Sequence, residues 1–185
     1  MSSLPIKDMG PGEIVWGYGE SGALNLGPTL GGIFHRMDTT VHDIKTDQGG
    51  DAAVDAAFGG STMELEVIMT RSTLTQLNEV LLADGVQPSG NHSYIKLKNQ
   101  IGCSMYDLAK AVVIKPYCGD EVSDDPAEWT HIYKCYPIPA FDLSYTPDTQ
   151  RVFPIKFKVF VSQESGYEGE FGTLGMPSGS SEFGI

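Results

Sequence analysis

Two stretches of the chain alternate apolar and polar side chains with a period of two. In the first, Met63, Leu65, Val67 and Met69 fall on one side and Glu64, Glu66 and Thr70 on the other. That is the signature of a half-buried strand, and only Ile68 breaks its polar side. A second extended segment, TTVHDIKTD, precedes it across a small connection carrying Gly49, Gly50, Gly59 and Gly60. Together they predict one long hairpin over residues 38–71. The other clear alternation covers residues 152–161: Phe153, Ile155, Phe157, Val159 and Val161 oppose Lys156 and Lys158. Pro154 confines that strand to an edge, or sits at its start, where no ladder N–H is lost.

Weaker patterns fill in the rest. Short strands are expected over residues 13–18, 94–98, 130–136 and 140–145, and a more deeply buried one over 108–115, ending at Pro116. Gly27-Pro28 and Gly31-Gly32 read as turn or bulge signals, after which a strand resumes at Ile33. One helix is predicted over residues 74–84. Thr73 and Gln76 have capping-box spacing, Leu74, Leu77, Val80 and Leu81 form its core-packing stripe, and Gly85 is placed to stop it. Residues 117–129 form an acidic loop whose Asp120, Glu121, Asp124, Asp125 and Glu128 read as a solvated face. From Ser162 the chain turns to glycine, serine and glutamate with no period. This predicts a flexible arm over 162–185 attached to a β domain over 1–161. Its Phe171, Leu174, Met176 and Phe183 hint at docking on a neighbour.

Charge sharpens the picture. Residues 38–71 hold seven acids (Asp38, Asp43, Asp47, Asp51, Asp55, Glu64, Glu66) against one interior lysine, Lys45. The whole chain of 185 residues has a formal net charge of −12, which excludes a protein that coats nucleic acid through counterion release. No apolar run approaches the roughly 20 residues that span a bilayer. The amino terminus lacks signal-peptide organisation, so a soluble protein made in a cytoplasm and without a membrane partner is expected. Cys103, Cys118 and Cys135 are odd in number and far apart, suggesting neither disulfides nor zinc. His35, His42, His92 and His131 belong to no H-E-x-x-H motif, and the chain has no G-x-S-x-G elbow, so no catalytic residue and no cofactor are expected. Gly17 and Gly19 do not complete a dinucleotide fingerprint. The four-residue recurrence of Asp43, Asp47, Asp51 and Asp55 raises calcium. The EF-hand pattern is absent, however, and the expected metal is none.

The order of these elements resembles the major tail tube proteins of tailed bacteriophages, whose fold is shared with the tubes of contractile injection systems. The likeness is carried by HDIKTDQGGDAAVDAAFGG, then MELEVIMTRSTLTQLNEVL, then AVVIKPY and finally AFDLSYTPDTQRVFPIKFKVF. It covers roughly residues 13–161 and leaves out the tail. The resemblance implies a mainly β fold: a β-sandwich or split barrel with a long hairpin and one short flanking α-helix. It also implies a homo-hexamer, in rings that stack into a tube, with hairpin strands joined edge to edge across copies around a lumen. The implied partners are further copies of the chain, a tape measure protein, a tail terminator and, in contractile tails, a sheath. The implied location is the virion, assembled in host cytoplasm.

On that reading Glu64 and Glu66, with some of Asp43, Asp47, Asp51 and Asp55, are candidates to face the lumen. Like charge between wall and phosphate would let DNA pass without specific binding. Two other classes stay open: another β-rich virion component (tail terminator, connector or capsid decoration protein) and a ligand-binding β-barrel.

Overall fold

The computed structural model describes residues 11–27, 29–47, 51–70, 73–81, 86–89, 92–97, 101–118, 121–138 and 152–175. The fold is mainly β. Its strands are β1 (Gly12–Trp16), β2 (Leu24–Asn25), β3 (Thr29–Lys45), β4 (Ala53–Met69), β5 (Val86–Ser89) and β6 (His92–Ile95). They continue with β7 (Lys110–Cys118), β8 (Glu121–Val122), β9 (Thr130–Ile138), β10 (Phe153–Phe160) and β11 (Gly172–Leu174). One helix, α1 (Leu74–Val80), and a 3-10 turn at Pro126–Glu128 complete the described elements.

A single antiparallel sheet runs in the order β2-β1-β7-β9-β10-β4-β3, with β8 added to β7 and β11 to β9. The alternating strands supply its core. Met63, Leu65, Val67 and Met69 of β4 meet Phe153, Ile155, Phe157 and Val159 of β10, all buried, beside Ile14, Trp16, Val112 and Ile132. Each such side chain contributes about 1.5–3 kcal/mol before entropy is counted. The sheet is curled: β1 and β3 stand near its opposite ends, yet a Cβ built on Gly12 would lie 2.9 Å from Ile33 Cδ1. Among the described residues no ladder joins β3 to β1 or β2, so the curl stops short of a closed barrel.

Helix α1 begins as its sequence predicts. Gln76 N–H donates to Thr73 Oγ1 (3.2 Å), and Thr73 N–H donates to Gln76 Oε1 (2.8 Å). The Gln76 amide also donates to the Asn25 carbonyl (2.7 Å), tying the helix start to the chain just after β2 begins. The described helix has seven residues, capped by Leu81, and the Gly85 stop lies outside the described residues. Its packing differs from the predicted stripe. Val80 is buried and Leu77 packs on the core, but Leu74 is 40% exposed and Asn78 is the helix's other buried residue. Two turns are too short for a four-leucine-like stripe to wrap onto one neighbour.

Several other expectations are corrected. The hairpin connection contracts to residues 46–52, and Gly59 and Gly60 lie inside β4. β7 does not end at Pro116 but runs through it to Cys118. Its pairing with β9 stops at Ile114↔Thr130, beyond which a residue without N–H is tolerated. The strand expected over 94–98 is β6, ending at Ile95 and paired with β5 in a separate two-stranded sheet. β9 carries an irregularity between Lys110↔Cys135 and Val112↔Ile132, which puts Ile132 and Cys135 into the same core despite their odd spacing. The strand expected at residues 140–145 lies outside the described residues.

The carboxy-terminal segment up to Gly175 is not a free arm. Ser162 N–H donates to the Glu170 carbonyl (2.7 Å), Tyr133 N–H to the Phe171 carbonyl (3.0 Å) and Gly175 N–H to the Trp129 carbonyl (2.6 Å). Lys134 pairs with Glu164 at 2.7 Å, and Phe171 packs on the core of its own molecule. β11 thereby occupies the edge of β9 that β10 has vacated. The segment has no readable period because it docks through backbone bonds and through turns at Gly166 and Gly169, which have positive φ. Met176 and Phe183 lie outside the described residues.

Candidate functional site

The acidic hairpin is the most exposed part of the described sheet. β3 and β4, of 17 residues each, pair from Thr29↔Met69 to Lys45↔Ala53. β10 covers the outer edge of β4 only from Met69 to Glu64. From Thr62 to Ala53 that edge has no strand partner among the described residues, and β3 has none along its whole outer edge. The distal hairpin is thus a ribbon with two open edges and solvent on both faces.

Glycines shape this ribbon at two places. Gly31 and Gly32, with φ of 76° and 98°, sit in the irregularity between Thr29↔Met69 and Ile33↔Val67. Further out, Thr40 faces Gly60 while Val41 faces Phe58, so Gly59 is the extra residue of a bulge in β4. Gly60 has φ 116°, and a Cβ on Gly59 would lie 2.7 Å from His42 Nε2. The positive φ at Gly60 favours glycine, whereas a side chain at position 59 would have to displace the exposed His42 ring.

Directly opposed residues share a face, so the register sorts the predicted acids. Glu64 and Glu66 stand on the face away from the core, opposite Arg36 and Phe34 on β3 and Lys158 and Lys156 on β10. The Glu66 carboxylate lies 3.6 Å from Lys156 Nζ, beside a cleft of about 240 Å3 also lined by Phe34, Arg36 and Glu64. Continuing along β3 in steps of two, the same face carries Asp38, Thr40, His42 and Ile44, the last opposite Asp55. Asp43 is on the other face, opposite Ala56 and next to the Val41↔Phe58 pair. Asp47 and Asp51 belong to the tip, where Asp51 lies 4.0 Å from Lys45 Nζ. The structure therefore brings Glu64, Glu66 and Asp55 to one face and does not bring all six acids together.

The cations beside the two glutamates are the residues that single-strand reading missed. Arg36, Lys156 and Lys158 each alternate correctly within their own strands. Only the pairing of β3 and β10 on either side of β4 reveals three cations flanking two acids. With Asp38 next along the same face, three acids meet three cations, so the base of the ribbon is charge-balanced and its acidity is concentrated in the distal part.

A second cleft, of about 370 Å3, opens on the core side of the hairpin base between Met37, Met63, Ile132 and Leu174. His35 Nε2 is 3.0 Å from Met63 Sδ there, and burial lowers the His35 pKa. No carboxylate, ammonium or guanidinium lines this cleft. The histidines are dispersed: His35 and His42 on opposite faces of β3, His92 on β6, and His131 buried in β9 between Tyr18 and Tyr133. Burial lowers the His131 pKa to about 4 and raises that of the Cys135 thiol. Among the described residues no three His, Cys, Asp or Glu converge as a metal site, and no helix is long and apolar enough to cross a membrane. Comparison with protein-family models and with curated proteins gives no match to this chain.

Proposed function

We propose that this protein is the structural subunit of a phage tail tube, assembling as hexameric rings that stack into a conduit for the genome. The observation that supports this most is the distal ribbon, which among the described residues is open on both edges between Ala53 and Thr62 on β4 and along β3. Such an edge is an aggregation hazard in a monomer, and closing a ring of strands removes it. The outer edge of β3 in one copy meets the distal edge of β4 in the next, a head-to-tail pairing that closes if the rotation per copy closes. Copies of the same chain are then the first partner, with a tape measure protein inside the tube and a terminator at its end.

In this reading the face bearing Glu64, Glu66, Asp38 and Asp55 lines the bore. Phosphate sliding past finds acids toward the tips and balanced pairs toward the base, and releases few counterions to any wall cation. The sequence as a whole agrees, with 24 acids against 12 lysines and arginines. Electron microscopy of the purified protein tests the proposal. Stacked rings or tubes support it, isolated trimers point to a capsid decoration protein, and a stable monomer points to a ligand carrier.

A further inference from the structure

The face of the hairpin base that turns toward the core brings together three nitrogen and sulfur donors. His35 and Met37 are two residues apart on β3 and therefore share a face, and Met63 of β4 stands directly opposite Met37. His35 Nε2 is 3.0 Å from Met63 Sδ, and all three side chains line the cleft of about 370 Å3. Core packing accounts for Met63, which is buried. It does not account for Met37, which is 54% exposed on a strand whose outer edge has no partner among the described residues. A hydrogen bond is a poor reason for the His35 contact, because a thioether is a weak acceptor. What an imidazole nitrogen and two thioether sulfurs share is affinity for a soft metal ion.

The lining selects among such ions. Calcium and magnesium are held by oxygen ligands, carboxylates above all, and the cleft has no carboxylate. Neutral donors without a counter-charge favour an ion of single charge, and thioethers select copper(I). Burial holds the His35 pKa below its ordinary value, so the ring is neutral and able to coordinate at pH 7. Bonds of about 2.0 Å to nitrogen and 2.3 Å to sulfur bridge the 3.0 Å separation at an angle of about 90°, which puts an ion beside the His35 and Met63 contact on its cleft side. The three rotatable bonds of Met37 let its sulfur close the site from the exposed side, which is also the way in.

We propose that His35, Met37 and Met63 form a copper(I) site within one chain. The site is independent of the tube reading: it needs no second copy, and it lies on the face opposite Glu64 and Glu66. Sequence spacing conceals it, since the two methionines meet only through the register of β3 and β4.

Silver(I), a redox-inert substitute for copper(I), is the probe. The full chain is titrated in a Cys103→Ser, Cys118→Ser background, because thiolates compete for soft ions and the third cysteine, Cys135, is wholly buried. One ion per chain is expected, with the ε-methyl NMR signals of Met37 and Met63 shifting and those of the other methionines, of seven in all, holding still. Met37→Leu keeps side-chain volume, removes sulfur at an exposed position and should weaken binding by more than the roughly 10–100-fold that loss of an outer-sphere partner costs. Met63→Leu and His35→Phe should do the same, whereas Met105→Leu, at another exposed methionine, should change nothing. Near-ultraviolet circular dichroism checks that each variant is folded, and copper(I) delivered from a competing chelator should give the same ranking. Silver that binds the unaltered chain but not the serine background, binding undiminished in Met37→Leu, an equal response of the two methyl signals to Zn2+, or no binding at all would each overturn the site. None of these outcomes bears on the tube reading, which electron microscopy decides.

Discussion

Glu66 and Lys156 are directly opposed across β4 and β10, with 3.6 Å between carboxylate and ammonium. Both side chains are largely solvated, so the pair contributes at most about 1 kcal/mol, and less in salt. Glu66→Gln should therefore leave the denaturant midpoint nearly unchanged. Glu66→Lys sets like charges face to face across the sheet and should cost more. The proposed bore is tested by reversing Glu64 and Glu66 to lysine and scoring assembly and DNA ejection separately. Normal ejection through normal tubes would remove the role of wall charge.

Core and helix positions should separate sharply. Leu65 is wholly buried between β3 and β10, and Leu65→Ala is expected to cost about 2–5 kcal/mol in equilibrium unfolding. Leu74→Ala, at the exposed start of α1, should stay within about 0.5 kcal/mol. Thr73→Ala removes the cap and should cost about 0.5–2 kcal/mol. Leu77→Asp, which forces a charge against the core, should abolish soluble folding.

Stability should fall in acid through His131. Its folded pKa is lowered from 6.5 to about 4 by burial, so the unfolded chain binds the proton more tightly. The neutral-histidine contribution is fully present above pH 6.5 and is lost progressively as pH falls from 6.5 to 4, by something on the order of 3 kcal/mol. His35, whose pKa is also lowered by burial, adds to the same slope. Urea midpoints measured from pH 8 to pH 4 check this, and His131→Phe should flatten the profile.

Removing the segment after Gly166 should destabilise the fold itself. It deletes β11, the Tyr133 to Phe171 backbone bond and the packing of Phe171. Gly172→Ala is the milder version, because an added Cβ would collide with the His131 carbonyl oxygen. A truncated protein with wild-type thermal stability would show that β11 contributes nothing to the fold.

Much of this architecture was legible from local pattern. β4 and β10 could be read from alternation because each buries one face against the core, and α1 from Thr73 and Gln76 because its cap is a local hydrogen-bond exchange. What escaped was whatever depends on a partner strand. Arg36 and Lys158 flank Glu64 only once register is known, and Gly59 reads as a turn residue until Thr40 and Val41 are seen to straddle it. The docking of residues 162–175 left no period because it relies on main-chain bonds, and Pro116 misled because a proline that ends one strand can sit inside another where the neighbouring ladder has finished. The division of the acids between two faces, with Asp43 apart from Asp55, likewise follows from pairing and not from spacing.

The strand order also sets a timetable. The last residue of β4, Met69, leaves the ribosome 84 residues ahead of Phe153, the first of β10, its neighbour in the sheet. Throughout that interval the greasy side of β4 and both rims of the ribbon are uncovered together, on a nascent chain surrounded by siblings of identical sequence. Translation speed and polysome crowding are therefore direct inputs to yield, and a chaperone that shields the early ribbon until the last strands emerge would raise it.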